Sequence, residues 1–240
     1  MKKKSYKIDR DFIIPKFRWN DIFSIFLIER KSIYDFLTEI VLKRYGNDIK
    51  KEKIMDFGCG SAPYHCLFQS EGYTGVDVKV SGHQKKDIRA DVYYDNNLPF
   101  LDEEFKYVLA TQCLEHIADT DAILKELYRV TKKNGVIFVT VPMVWIDHEQ
   151  PYDYYRFTEE GIKQKLKENG FRVKYVKKLN GLDDAIAQMR ILAFCRKRNF
   201  KGLPVKLFIA MENIKYIFRY KKKSVGDRSL STCIGLIAEK

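Results

Sequence analysis

The stretch "KIMDFGCGSAPYHCLFQS", Lys53 to Ser70, constrains the fold more than any other part of the chain. A short apolar run ends in Asp56 and passes into the tight turn Gly58-Cys59-Gly60, followed by a segment with helical character. Open α/β sheets bind nucleotide-like ligands at turns of this kind. The phosphate-binding versions do not fit. The third glycine of a G-x-G-x-x-G fingerprint is replaced by Pro63, an acid leads into the turn, and no G-K-[ST] follows.

The surrounding pattern alternates. After "KIMDF" come "APYHCLFQ" as a helix, "YTGVDV", "KDIRADV" and "KYVLATQ" as strands, "DAILKELYRVTK" as a helix, "GVIFVTVP" as a strand, "EEGIKQKLKEN" as a helix and "FRVKYVKKL" as a strand. Short β-branched runs between helical patterns predict a doubly wound sheet covered on both faces. Asp119, Thr120 or Asp121 caps one helix and Thr158 the next, and Asn134-Gly135 turns into the strand after the first. Ahead of this core, Ile22, Phe23, Phe26, Leu27, Ile33, Phe36, Leu37, Ile40 and Val41 recur at helical spacing and predict one or two amphipathic helices ended by Gly46 and Asn47. The expected organisation is an N-terminal helical cover at 1–48 and a core domain at 49–240. A basic, partly helical insertion at 181–229 interrupts that domain, and "STCIGLIAEK" forms a last strand.

Composition narrows the class. Five cysteines without a C-x-x-C pair argue against a disulfide framework or a structural zinc site and favour a reducing cytoplasm. "MKKKSYKIDRDF" lacks the apolar segment of a secretory signal, and no run has membrane-spanning length. The net charge of +12 is concentrated between Arg190 and Ser229, with twelve Lys/Arg against two Asp/Glu. A basic appendage on a near-neutral core points to a local surface for an anionic substrate, partner or lipid headgroup rather than to a nucleic-acid-binding domain.

Asp56, Asp77 at the end of "YTGVDV" and Asp91 at the end of "DIRADV" place three carboxylates at the carboxyl ends of neighbouring strands. They repel a pyrophosphate and suit a ligand with an ammonium, a ribose diol and an adenine amino group. S-adenosylmethionine carries all three. From Lys53 to Leu179 the motifs "IMDFGCGSAPY", "YTGVDV", "ADVYYDNNLPFLDEEFKYVLATQCLEHI" and "ELYRVTKKNGVIFVTVP" resemble, in order and spacing, class I S-adenosylmethionine-dependent methyltransferases of the type 11 group. The resemblance implies a Rossmann-like sheet of seven strands with the last antiparallel. It implies that Gly58 and Gly60 approach the methionine part of the cofactor, with Asp56 and the small Cys59 in the same turn. Asp77, next to Val78, would take the ribose hydroxyls, Asp91 with Val92 would read the adenine, and Gln112 and Cys113 would line the cofactor. Ala62, Lys106 and Lys133-Asn134 depart from the family pattern at turn or surface positions.

The acceptor chemistry falls to two loops. "TQCLEHI" supplies Glu115 and His116, and "VPMVWIDHEQPYDYYRFT" supplies Trp145, His148, Asp153, Tyr154, Tyr155 and Arg156. Dense polar and aromatic character marks the second as a substrate loop with His148 as the base. It resembles a variant met among bacterial cell-surface polysaccharide and lipid enzymes. The alternative is that Asp153 and Arg156 form a structural ion pair and the tyrosines pack on the N-terminal helices. Gln112-x-x-Glu115-His116 lacks the first carboxylate of the metal-binding E-x-x-E-H pattern, so no resident metal is expected, and Glu115 could instead pair with Arg129 or start a helix.

The expected activity is methyl transfer from S-adenosylmethionine to an oxygen, less favourably a nitrogen, of a small molecule, a glycan or a lipid-linked intermediate. A catalytically silent scaffold docking on a membrane or acidic partner is one rival, and an RNA methyltransferase is the other. The basic insertion is expected to cap the site, with peripheral membrane contact as the alternative.

Overall fold

The structure is a computed structural model that describes residues 19–68, 70, 72–78, 89–95, 97–199, 202–221 and 227–240. The basic start of the chain, residues 86–88 of the "KDIRADV" segment and Lys222-Lys223 lie outside the described residues. Seven strands form one sheet: β1 Lys53–Phe57, β2 Gly72–Val78, β3 Val92–Tyr94, β4 Phe105–Thr111, β5 Thr131–Pro142, β6 Arg172–Lys178 and β7 Cys233–Glu239. Their order is β3-β2-β1-β4-β5-β7-β6, and β7 alone runs antiparallel, hydrogen-bonded to β5 on one side and β6 on the other. The sequence expectation of a doubly wound, Rossmann-like sheet with an antiparallel last strand holds.

Alternating side chains of the buried strands feed two helical layers. On one face Met55, Phe57, Val108, Ala110, Ile137 and Val139 pack with Leu124 and Leu127 of α3 (Thr120–Val130) and with Ile162 and Leu166 of α4 (Glu159–Glu168). On the other, Ile54, Tyr107, Leu109, Phe138 and Ile237 pack with Ile33, Phe36, Leu37, Val41 and Ile49. Those last residues belong to a continuous helical run of α1 (Leu27–Asp35), a π-helical stretch Phe36–Leu42 and α2 (Lys43–Ile49). The run does not stop at Gly46-Asn47, and it shares one core with the sheet. Asp119 and Thr158 cap α3 and α4 by accepting from the Ala122 and Gly161 amides at 2.9 and 3.1 Å.

The expected helix after the glycine turn is absent. Residues 61–67 form successive turns closed by bonds three residues back, from Ala62 to Cys59, His65 to Ala62 and Leu67 to Tyr64. Ala62 is left-handed with φ 54°, which breaks the run of helical dihedrals just after the glycine turn, and the bonds that follow stay three residues back.

The insertion folds as a hairpin of α5 (Leu182–Lys197) and α6 (Leu203–Lys221). Ala187, Ile191, Cys195, Val205, Ile209 and Tyr216 bury against Ile28 of α1. Two buried amides fasten it further: Gln188 donates to the Ile25 carbonyl at 2.7 Å, and Asn213 donates to the Ile22 and Ser24 carbonyls at 2.8 Å each. The hairpin thus seals the free backbone acceptors ahead of α1.

Candidate active site

The glycine turn begins where β1 leaves the sheet. Gly58 and Gly60 take φ of +65° and +52°, a region costly for side-chain-bearing residues. At Gly58 a Cβ would lie 2.4 Å from Cys113 Cβ, whereas at Gly60 it would enter open space. The Gly60 and Val78 amides each donate to one carboxylate oxygen of Asp77, both at 2.7 Å. A carboxylate oxygen can accept more than one hydrogen bond, which suits a ligand hydroxyl. Asp56 is buried, takes a hydrogen bond from Tyr73 and leaves its other oxygen without a partner. Burial raises its pKa to about 7; the Tyr73 bond opposes this and Asp77 adds to it. Cys59 and Cys113 are buried, and burial together with neighbouring carboxylates pushes both thiols up, so neither is a nucleophile.

The third acid differs from the sequence expectation. Asp91 stands before β3, not at its carboxyl end, and its carboxylate accepts from the Gly75 amide at 2.8 Å while its own amide donates to the Gly75 carbonyl. The residue directly after β3 is Asp95, which sequence reading passed over. Sequence reading placed Asp91 at a strand end because it ended the strand at Val92, two residues before the observed end of β3 at Tyr94. Val92 is the first residue of β3, paired with Val76.

A cavity of about 430 Å³ opens beside the turn. Its walls are Gly58 to Ser61, Thr111 and Gln112 at the end of β4, Trp145, His148 and Glu149 from the loop after β5, His116, and one side of α1 with Phe26, Glu29, Arg30, Ile33 and Tyr34. Gln112 is itself left-handed, with its side-chain amide donating to Thr140 Oγ1 at 3.2 Å. The α1 contribution was missed at the sequence level, although a signal was there. Glu29 and Arg30 interrupt an apolar stripe running through Phe26, Ile33 and Leu37, where a charge needs a reason. Burial raises the Glu29 pKa to about 7, with Arg30 opposing. No residue of α5 or α6 lines the cavity, so the cap over it is α1, and the insertion braces that cap from behind.

At the acceptor end two histidines meet edge to face, ring centres 4.7 Å apart. His116 Nδ1 lies 2.7 Å from the Tyr152 carbonyl, which fixes a proton there and turns Nε2 toward Glu115 and Glu149. His148 Nδ1 stands between Asp153 Oδ2 at 3.4 Å and Arg156 Nη2 at 3.5 Å, and its backbone amide donates to the same Asp153 oxygen at 2.9 Å. Burial and His116 lower the His148 pKa, so the ring is neutral at physiological pH; Asp153 acts in the opposite direction.

Asp153 and Arg156 do not line the cavity. Arg156 donates to both Asp153 oxygens at 2.7 and 2.8 Å and to the carbonyls of Tyr155, Ile146 and Trp145 at 2.8, 2.8 and 3.3 Å. The pair clasps the loop into shape, and the guanidinium holds the Asp153 carboxyl well below the usual range. The structural ion pair considered from sequence is therefore present, directly behind His148. Tyr154 is outside the cavity and exposed, and its amide donates to the Glu115 carbonyl at 2.9 Å. Tyr155 donates through its hydroxyl to the Ala118 carbonyl at 2.7 Å.

Glu115 does not pair with Arg129, which bonds to Glu126 and Asp102 instead. It is fully buried, neither carboxylate oxygen has a hydrogen-bond partner, and burial raises its pKa strongly. Its Oε1 lies 3.8 Å from His116 Nε2, which is 3.7 Å from Glu149 Oε1. Glu115, His116 and His148 offer ligand atoms within 4.8 Å of one another, the one grouping among the described residues that could hold a cation.

Comparison with known proteins agrees with this geometry. Residues 29–176 match a family model described as a methyltransferase domain, a span that begins inside α1. The chain is 29% identical over 104 residues to a malonyl-[acyl-carrier protein] O-methyltransferase of Hamiltonella defensa, covering 40% of each chain. It is 24% identical over 115 residues to phosphoethanolamine N-methyltransferase 2 of Caenorhabditis elegans, covering 42% of this chain and 26% of that one. The matched stretch thus spans less than half of either relative. Among solved structures, the Haemonchus contortus phosphoethanolamine N-methyltransferase 2 with phosphomonomethylethanolamine and S-adenosylhomocysteine superposes with a TM-score of 0.52 at 18% identity, over 96% of this chain and 60% of that one. An S-adenosylmethionine-dependent methyltransferase of Archaeoglobus fulgidus gives 0.50 at 20% identity over 87% and 98%. The [4+2]-cyclase SpnF gives 0.51 at 18% identity over 86% and 80%. These structural likenesses establish the fold. The family match, which covers more than half of the residues, establishes the rest: the chain belongs to the class I S-adenosylmethionine-dependent methyltransferases of the type 11 group.

Proposed function

We propose that the protein methylates an oxygen, less favourably a nitrogen, of a small molecule, a glycan or a lipid-linked intermediate, with His148 Nε2 taking the acceptor proton. The observation that carries this reading is the order Arg156–Asp153–His148, ending on the wall of the same cavity that the glycine turn lines. S-adenosylmethionine supplies an electrophilic methyl group on a sulfonium, so the protein has to align, exclude water and remove a proton.

The residues fit the cofactor. Open space at the Cβ position of Gly60 leaves room for close backbone approach, and Asp77 beside it is a carboxylate, the acceptor type that a diol's hydroxyls need. We assign Gly58, Cys59 and Gly60 to the methionine part, Asp77 and Val78 to the ribose, Asp95, in place of Asp91 with Val92, to the adenine side, and Gln112 and Cys113 to the floor. Asp56, from beneath the turn, adds negative potential. A neutral His148 accepts the acceptor proton on Nε2, and Asp153 stabilises the resulting imidazolium through Nδ1. His116 Nε2 offers the acceptor hydroxyl a second hydrogen-bonding partner. Asp153, Arg156 and Tyr154 are positioning residues, the last through the Glu115 backbone.

The test is acceptor turnover alongside calorimetric cofactor binding. His148→Ala is expected to lower turnover by about 10²–10⁴-fold at unchanged cofactor affinity; wild-type turnover in the variant removes the base assignment. Cofactor binding without turnover over a broad acceptor panel would favour the scaffold reading, and SpnF shows that the fold alone does not name the reaction. For RNA, the cavity wall has a single Lys or Arg among the described residues, Arg30, where a basic track would be needed.

A metal-assisted reading has one observation in its favour, the partnerless Glu115 oxygens beside His116 and His148. There a divalent cation would acidify the acceptor hydroxyl in place of a base. Loss of turnover in a chelator, restored by Mg²⁺ or Mn²⁺, would select it.

A further inference from the structure

The outer face of α6 is apolar. Leu203, Leu207, Met211, Ile214 and Phe218 follow one another at steps of four, four, three and four residues, one line along a helix, and are 67, 58, 41, 38 and 63% exposed. The stripe runs for about 22 Å at the helical rise. The opposite side of α6 is already committed, with Val205, Ile209 and Tyr216 buried against Ile28, Ala187 and Ile191. The helix is therefore apolar on two sides, and none of the described residues covers the outer one.

Charge decides the occupant. Among the described side chains of α6, the exposed charged ones are Lys206 and Lys215, and the helix's single acid, Glu212, is buried and bonded to Arg190 at 3.3 Å and Lys215 at 3.2 Å. Arg196, Lys197 and Arg198 are exposed at the end of α5. A second copy of the chain packed two-fold on this face would bring two such cation sets together, since an isologous contact repeats the same patch on both sides. A surface of anionic lipid headgroups over an apolar layer satisfies both the stripe and the cations. No described helix is long and apolar enough to cross a membrane.

We infer that α6 is a peripheral docking helix that lies in the interface of an anionic lipid membrane, with Leu203, Leu207, Met211, Ile214 and Phe218 toward the acyl chains and Lys206, Lys215, Arg190 and the Arg196–Arg198 cluster toward the headgroups. The stripe shares no residue with the cavity, so this inference stands or falls apart from the methyl-transfer reading.

Vesicle sedimentation of the full chain tests it, with phosphatidylcholine alone and with 30 mol % phosphatidylglycerol added. Binding to the anionic vesicles at least about tenfold tighter than to the neutral ones, weakening as salt rises, is the expected result. Leu207→Ser and Phe218→Ser should each reduce binding about tenfold, as the loss of one buried apolar side chain predicts. Their thermal melts and cofactor affinities should match the wild type, which separates lost docking from lost folding. No sedimentation with either vesicle, or equal binding to both, overturns the proposal. A wild-type dimer that the two substitutions convert to a monomer also overturns it, because a second copy then covers the stripe.

Discussion

Replacing each glycine of the turn by alanine separates what the fold needs from what the cofactor needs. Both residues are left-handed, so alanine at either costs about 1–2 kcal/mol in backbone strain. At Gly60 that is the whole folding cost, because the new methyl meets nothing within 4 Å. A melting temperature lower by about 2–8 °C follows for a chain of this size. The same methyl enters the space assigned to the methionine part of the cofactor, where overpacking of about 1–3 kcal/mol raises Kd roughly five- to hundredfold. At Gly58 the methyl would sit 2.4 Å from Cys113 Cβ, well inside contact distance, so the overpacking falls on folding itself and the melting temperature drops about twice as far. Thermal melts and isothermal titration on the two variants are sufficient. Gly60→Ala with a wild-type Kd would show that the cofactor does not approach the turn, and equal melting temperatures for the two variants would refute the steric argument at Gly58.

Asp153→Asn tests the clasp through pH. The folded carboxyl titrates well below its unfolded value because Arg156 donates to it, so its stabilisation is complete above the ordinary carboxylate range, begins to fall as pH drops through about 4 and is gone only below the depressed folded value. The wild type should exceed the variant by about 2 kcal/mol at pH 7 in denaturant melts, and the gap should narrow by about 1 kcal/mol by pH 3; a gap independent of pH rules the ion pair out as its source. Asp95→Ala should weaken cofactor binding about fivefold, the worth of one hydrogen bond, while Asp91→Ala should mainly lower stability by orphaning the Gly75 amide. The reverse ranking would return the adenine contact to Asp91. Glu29, with its pKa raised to about 7 on the cavity wall, should ionise when a cationic cofactor enters. Calorimetry at pH 7 in buffers of different ionisation enthalpy should then detect proton release that Glu29→Gln loses, and buffer-independent heats in the wild type would contradict it.

The sheet was legible because its signals are local. Each buried strand is a short β-branched run, α3 and α4 each start on a capping side chain, and Gly58 and Gly60 occupy positions where the backbone itself demands glycine. What misled was conformation decided by single residues in context. Ala62 in a left-handed geometry ahead of Pro63 turned an expected helix into stacked turns, and "KDIRADV" looked like a strand although, among the described residues, its pairing begins at Val92. The cofactor half of the site was readable because strand ends carry it. The acceptor half was read only in part. His148 and His116 stood out in polar loops, but Glu29 and Arg30 reach the cavity from a helix more than eighty residues away in sequence, and only tertiary packing shows that their side of α1 is the roof.

The two halves of the cavity are held by different means, and this bears on where specificity resides. The glycine turn, Asp77 and Gln112 are set by backbone hydrogen bonds of the sheet itself, to Gly60, Val78 and Thr140. The acceptor side is held by two detachable devices. The 145–156 loop depends on one ion pair, and the α1 roof depends on the α5–α6 hairpin, whose Gln188 and Asn213 tie down the carbonyls of Ile22, Ser24 and Ile25. Substitutions in those devices can reshape the acceptor pocket without disturbing the cofactor turn. The hairpin that braces the roof also carries the apolar stripe on its far side, so whatever engages α6 lies one helix layer behind the wall that an acceptor meets.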